Sequence, residues 1–182
     1  MKKALFMAVA LTLAVMANAQ TSVQLGYLLN IQKVETALGS GTDSYNGLFL
    51  SADHTFGLSG DLAVTPGLGL GYSFDSGDDY RELGIFLPVD VNYRFRLSSD
   101  ISLSLFAGPT FHFGLISEAG SHSYYADDNS RFEVLLGGGL WCDIRQTVRL
   151  KAGYKLGLIT TSKLSGITEK NDCLYLSIGY LF

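Results

Sequence analysis

The chain has 182 residues, 47% apolar and 16% charged, with 21 Gly, 3 Pro, 11 Phe and 10 Tyr, a composition that suits one folded domain and excludes a disordered or collagen-like chain. Its formal charge is −4, and with Lys2 and Lys3 set aside the remainder is more acidic still, which argues against a nucleic-acid partner. Beyond the N-terminus no apolar run approaches the roughly 20 residues that a membrane-spanning helix requires.

Met1 to Ala19 carries two lysines, an apolar stretch from Ala4 to Met16 and the small-residue exit Ala17-Asn18-Ala19. That is the pattern of a secretory signal peptide, so residues 1–19 are expected to be removed and residues 20–182 to form a single mature domain.

From there the dominant signal is alternation with period two, the mark of β-strands with unlike faces. The first strand is expected over Val23 to Ile31 and a less regular second over Leu48 to Phe56. The third, Leu62 to Phe74, sets Leu62, Val64, Pro66, Leu68, Leu70, Tyr72 and Phe74 against Ala63, Thr65, Gly67, Gly69, Gly71 and Ser73. The same contrast continues through Leu83 to Phe95, Ile101 to Leu115, Phe132 to Ile144, Val148 to Leu158 and Leu174 to Phe182. Short turns near 57–61, 96–100 and 145–147 alternate with longer polar loops near 32–44, 75–82, 117–130 and 160–172. Eight strands so connected predict an all-β, antiparallel up-and-down barrel whose two ends meet different surroundings.

In the expected segments the apolar face holds no Asp, Glu, Lys or Arg; on the second strand that face is taken as Leu48, Leu50 and Ala52. The other face is mostly Gly, Ser, Thr and Asn, with Asp53, Asp90, Glu133 and Asp143 against Arg94, Arg149, Lys151 and Lys155. A face turned to water would carry denser charge, whereas the narrow lumen of an eight-stranded membrane barrel takes small residues and a few paired charges. The greasy face is therefore expected to meet lipid, where a charge at mid-depth costs about 2 to 4 kcal/mol. Aromatic girdles are expected at the strand ends, from Tyr93, Phe95, Tyr180 and Phe182 at the short-turn side and Tyr72, Phe74, Phe111, Phe113 and Phe132 at the other.

The chain stops on Leu176, Ile178, Tyr180 and Phe182. With this closing alternation it resembles the outer-membrane β-barrel families of Gram-negative bacteria, in particular the small eight-stranded kind similar to OmpA and OmpX barrels. The resemblance covers the whole mature chain as a pattern of strands. It implies a transmembrane barrel in the cell outer membrane, surrounded by outer-membrane lipid. It also implies that Leu176, Ile178, Tyr180 and Phe182 form the signal read by the barrel-assembly machinery.

No motif marks a cofactor. Gly67-Leu68-Gly69-Leu70-Gly71 lacks the helix that a phosphate-binding loop requires and is expected to make room in the lumen. Gly137 to Gly139 are expected to bend or bulge the sixth strand. Asp75, Asp78, Asp79 and Glu82 lack EF-hand spacing and are read as a solvated acidic loop rather than a metal site. His112 and Glu133 raise the idea of hydrolysis, but no nucleophile is marked beside them, so no catalytic residue is assigned. His54 is expected at an interface and His122 in a loop. Cys142 and Cys173 fall on opposite faces of strands that are not neighbours, so both thiols are expected to be unpaired.

The charges on the inner face sum to zero, and such charges must be paired to be tolerated. Asp90, Arg94, Glu133, Asp143, Arg149, Lys151 and Lys155 are thus expected to form an interior network that plugs the barrel. Three function classes stay open: a non-catalytic structural barrel, or one binding an extracellular ligand through long loops such as 117–130 with Tyr124 and Tyr125; a narrow porin-like channel for small solutes; and a lipid-modifying enzyme. Fold likeness cannot choose between them.

Overall fold

Antiparallel pairing carries the period-two alternation around a closed ring. The computed structural model describes residues 20–36, 39–75, 80–119, 122–125, 132–158 and 167–182. The strands are β1 (Gln20–Thr36), β2 (Gly39–Ser59), β3 (Leu62–Phe74), β4 (Arg81–Arg96), β5 (Ile101–Ala119), β6 (His122–Tyr125), β7 (Phe132–Ile144), β8 (Val148–Gly157) and β9 (Ile167–Leu181). Eight of them close the ring in the order β1, β2, β3, β4, β5, β7, β8, β9, with β9 pairing back to β1. The short β6 pairs with β5 above the ring at Ile116 to Ala119.

Following partners from Asn30 through Cys173, Lys155, Gly137 and Gly108, then Asp90, Thr65 and Thr55, returns to β1 at Gln20, a stagger of about ten residues. Eight staggered strands enclose a space that side chains can fill.

The faces are inverted relative to a water-soluble protein. Leu25, Leu50, Leu68, Leu105, Leu136, Leu176 and Ile178 stand on the outside, each close to half-exposed or more. The buried set is mainly polar and includes Asp53, Asp90, Asn92, Glu133, Asp143, Arg149, Lys151 and Lys155. On β2, Leu48 and Leu50 face outward while Phe49 and Asp53 face the lumen. Outward aromatics pair at both ends: Tyr93 with Phe95 and Tyr180 with Phe182 at the short turns, Tyr72 with Phe74 and Phe113 with Phe132 at the other. His54 accompanies the lower group, against Phe56 and hydrogen-bonded to Thr21.

Several boundaries differ from the sequence expectation. The loop expected over 32–44 is largely strand, because β1 and β2 stay paired from Gln32 and Asp43 up to Thr36 and Gly39. β5 likewise runs to Ala119, and β9 begins at Ile167 rather than Leu174. A backbone ladder needs no apolar face, so strands continue beyond the lipid where hydropathy no longer reports them. The lengthened strands place Lys33 and Asp172 on the outer parity at the upper rim, so the outer face of the full strands is not free of charge.

Gly137 to Gly139 pair with β5 and β8 without a register shift, so there is no bulge at these glycines. Shifts occur instead between Gly57 and Ser59 and between Leu83 and Gly84. The 145–147 turn is tight, with Arg145 and Gln146 at φ of 51° and 53° and Thr147 N–H bonded to Ile144 O. The leader, residues 1–19, lies outside the described residues, as do Asp78 and Asp79.

Candidate functional site: the filled lumen

Four large rings occupy the middle of the barrel, each set opposite a glycine on the adjacent strand. Gly26 pairs with Phe49, Gly69 with Phe86, Gly139 with Phe106 and Gly153 with Tyr175. A Cβ at Gly26 or Gly69 would come within 2.2 Å of the facing ring, and one at Gly153 within 2.6 Å of Tyr175. These glycines are there because a narrow lumen can hold a ring only where the opposite strand has no side chain. Trp141 is fully buried against Phe106, the ring centroids 5.2 Å apart.

Charges thread this aromatic layer. The Lys151 ammonium lies 3.0 Å from Asp90 and 3.8 Å from Asp53, and sits over the rings of Phe106 at 4.5 Å and Trp141 at 5.3 Å. Lys155 lies 3.5 Å from Asp90 and donates to the Thr110 hydroxyl. Asp53 also accepts from Gln24, which in turn accepts from Ser177 at 2.8 Å. Below, Arg149 holds Asp143 with two bonds, Nε to Oδ1 at 2.7 Å and Nη2 to Oδ2 at 3.0 Å, and its guanidinium lies 4.4 Å from the Trp141 ring. Three cations and three carboxylates thus neutralise one another within this layer, which is what makes their burial tolerable.

Above this layer, Glu82, His112 and Glu133 form a second group. His112 Nε2 lies 3.5 Å from Glu82 and Nδ1 lies 3.3 Å from Glu133, while Tyr80 donates to Glu82 at 2.6 Å and Asn171 donates to Glu133. Glu82, His112, Glu133 and Asn171 line a cavity of about 100 Å³ that also touches Phe49, Phe86 and Tyr175 and reaches Asp53, Lys151 and Lys155 of the layer below. That volume holds a few waters or one very small solute. Among the described residues, no hydroxyl or thiol is hydrogen-bonded to His112.

The structure therefore brings together Asp90, Asp143, Arg149, Lys151 and Lys155, with Asp53, in one layer and puts Glu133 in the group above it. Arg94 stands apart, half-exposed at the short-turn mouth and without an ion pair among the described residues. Glu82, expected in a solvated loop, faces inward on β4 and is buried. Gln24, Glu82 and Asn171 were missed as lumen partners, although extending each strand's parity by two or four residues would have found the last two. Leu176, Ile178, Tyr180 and Phe182 face outward at the lower end of β9. The two cysteines are unpaired. The side chains of Tyr124 and Tyr125 lie outside the described residues.

At the upper rim, above the apolar band, Asp172 accepts from Lys33 at 2.5 Å, from Tyr154 at 2.7 Å and from the Gly157 N–H at 3.1 Å. Burial pushes the Asp172 carboxyl up, but these bonds outweigh it and hold it below the ordinary carboxylate range, while the bond to Asp172 raises the Lys33 ammonium. The cluster ties β8, β9 and β1 together at the seam where the first and last strands of the ring meet.

The outer membrane protein beta-barrel domain family matches residues 4–182. Ail, the attachment invasion locus protein of Yersinia pestis, is 19% identical with a TM-score of 0.50, over 90% of this chain and 99% of its own. Neisserial surface protein A is 15% identical with a TM-score of 0.52, over 87% and 96%. The outer membrane enzyme PagL, at 14% identity and a TM-score of 0.46 over 82% and 97%, is too distant to bear on chemistry. No curated protein matches the chain in sequence.

Proposed function

The chain belongs to the outer membrane protein beta-barrel domain family, a β-barrel of the Gram-negative outer membrane, and from that premise we propose that it is a non-catalytic barrel with a plugged lumen. Its role on this reading is to support the envelope or to bind a partner through the long-loop end. The observation that carries it is the layer of Asp53, Asp90, Asp143, Arg149, Lys151 and Lys155 interleaved with Phe106, Trp141 and Tyr175. Asp90 and Trp141 are 0% exposed and Arg149 1%, and packing this close argues against a continuous aqueous path.

The same packing weighs against a porin-like channel, and the placement of His112 weighs against lipid hydrolysis. His112 lies between two carboxylates inside the barrel, whereas a lipid substrate approaches the outer face. Recruitment by the barrel-assembly machinery through Leu176, Ile178, Tyr180 and Phe182 is part of the proposal, as is cleavage of the leader after Ala19.

Planar-bilayer recording tests the plug. The purified barrel is expected to give no steady conductance, and Lys151→Met with Asp90→Asn is expected to leave the aromatic layer closed. A steady open channel in the unmodified protein would overturn the reading. Envelope lipids of unchanged mass in a strain overexpressing the protein are the matching expectation for the absence of lipid chemistry.

A further inference from the structure

The chamber above the charged layer is walled differently from the rest of the lumen. Leu28, Phe86 and Cys173 line it, pack against the buried rings of Phe49 and Tyr175, and are themselves only half-buried. The other side chains that face the lumen are mainly polar. Apolar surface left open inside the barrel is costly in water and suits an apolar occupant.

Rings set the character of this wall. Phe49 and Phe86 meet at 5.6 Å between centroids with their planes at 76°, and Phe49 meets Tyr175 at 6.2 Å and 81°. Those are separations and angles at which aromatic rings attract one another, so the wall offers the same contacts to a further ring. The glycines of β3 show where the room lies. At Gly67 and Gly69 the place of a Cβ is already taken, by the Asp53 carboxylate and by the Phe86 ring. At Gly71, which lines the chamber, the nearest atoms to such a Cβ are Phe86 Cε1 at 3.3 Å and Leu28 Cδ1 at 3.6 Å. Gly67 and Gly69 thus make room for a side chain of the barrel, whereas Gly71 makes room for the chamber.

Size and charge narrow the class of occupant. The volume of about 100 Å³ lies below the roughly 150 Å³ of an apolar cavity that takes benzene, so one ring with a small substituent is the upper limit. The charged groups on the wall answer one another: Asp90 lies 3.0 Å from Lys151 and 3.5 Å from Lys155, and His112 lies 3.5 Å from Glu82 and 3.3 Å from Glu133. A charged occupant would have to displace one of these contacts or give up its water unanswered.

We propose that this chamber binds a small neutral molecule built on a single aromatic ring. The ring lies beside Gly71, against Leu28, Phe49 and Phe86. Occupancy is read at the chamber walls and conductance across a bilayer, so failure of either reading leaves the other standing.

The test uses the full barrel, isotope-labelled and reconstituted in lipid nanodiscs, titrated with phenol while backbone amides are followed by NMR. Leu28, Gly71, Phe86 and Cys173 report the chamber, and Leu50 and Leu136, on the outer face, report phenol dissolved in the lipid. Saturable shifts are expected at the chamber residues alone. Cyclohexanol, which keeps the hydroxyl and loses the aromatic face, is expected to bind about threefold weaker or more. Benzoate and benzylamine are expected to bind at least about tenfold weaker, and naphthol, with its second ring, not to saturate the chamber. Leu28→Phe narrows the chamber and is expected to weaken phenol binding about tenfold or more, whereas Leu28→Ala widens it and is expected to admit naphthol. Should Leu28→Phe fail to assemble, exclusion of naphthol from Leu28→Ala is enough to defeat the proposal. It is equally overturned by the absence of a saturable shift with phenol, by cyclohexanol, naphthol or a charged probe binding the unmodified barrel as tightly as phenol, or by phenol affinity unmoved in Leu28→Phe.

Discussion

Replacing Asp90 by Asn keeps the shape of the most deeply buried carboxylate in the lumen and removes its charge. Asp90 lies 3.0 Å from Lys151 and 3.5 Å from Lys155. After the change, Lys151 keeps Asp53 at 3.8 Å and the Phe106 ring at 4.5 Å, whereas Lys155 keeps only the Thr110 hydroxyl and the Tyr175 ring at 5.8 Å. One of the two cations is therefore stranded. Breaking a buried pair in this way costs about 3 to 5 kcal/mol. The cation–π contacts are the same before and after the change and cancel, while the Asn oxygen can still accept a hydrogen bond, so a loss at the lower end of that range, about 3 kcal/mol, is expected, roughly a hundredfold in the unfolding equilibrium. Trp141, the only tryptophan, sits in the same layer, so its fluorescence reports the transition in a reversible urea titration from lipid or detergent. Adding Lys155→Met should restore more than half of the loss, since the stranded charge goes with it. A loss below about 0.5 kcal/mol for Asp90→Asn alone would mean that these groups are hydrated, and the sealed layer would have to be abandoned.

Leu105→Arg places a charge on the lipid-facing band and should cost about 2 to 4 kcal/mol in the same titration if that face meets acyl chains; a neutral effect would contradict the orientation. Gly153→Ala brings a methyl to within 2.6 Å of the Tyr175 ring and should cost about 1 to 3 kcal/mol, whereas Gly41→Ala, with nothing within 4 Å, should be close to neutral. At the rim, Asp172 is held below its unfolded value, so its contribution is full above the ordinary carboxylate range and is lost as pH falls through the depressed value. Thermal denaturation across that range should fall more steeply for the unmodified protein than for Asp172→Asn. Peptide mapping without reduction should return Cys142 and Cys173 on separate peptides, because they face opposite sides of β7 and β9 with β8 between them.

The strand count, the inverted faces and the membership of most inner charges were legible from residues such as Leu62 to Phe74, where every second side chain is bulky and apolar. Lipid acts on each residue separately, so the alternation that it imposes is written locally and needs no knowledge of partners. Where lipid ends, that signal ends as well, which is why the upper reaches of β1, β2 and β9 read as loops and why Glu82, Lys33 and Asp172 were misplaced or overlooked. Arg94 shares its parity with the plugging charges yet lies at the mouth, since parity assigns a face but not a height within the barrel.

What closed the lumen could not be read from any one strand. Lys151 meets Asp90 across 61 positions of sequence, and Gln24 meets Ser177 across 153. Phe49, Phe86, Phe106 and Tyr175 find room only because the register sets Gly26, Gly69, Gly139 and Gly153 opposite them. The sequence by itself determined which side of each strand meets lipid, because that is a contest between one side chain and its solvent. Which charge answers which, which glycine faces which ring and which buried atoms are left without a partner were decided only by closure of the ring, because each depends on the stagger between strands distant in the chain.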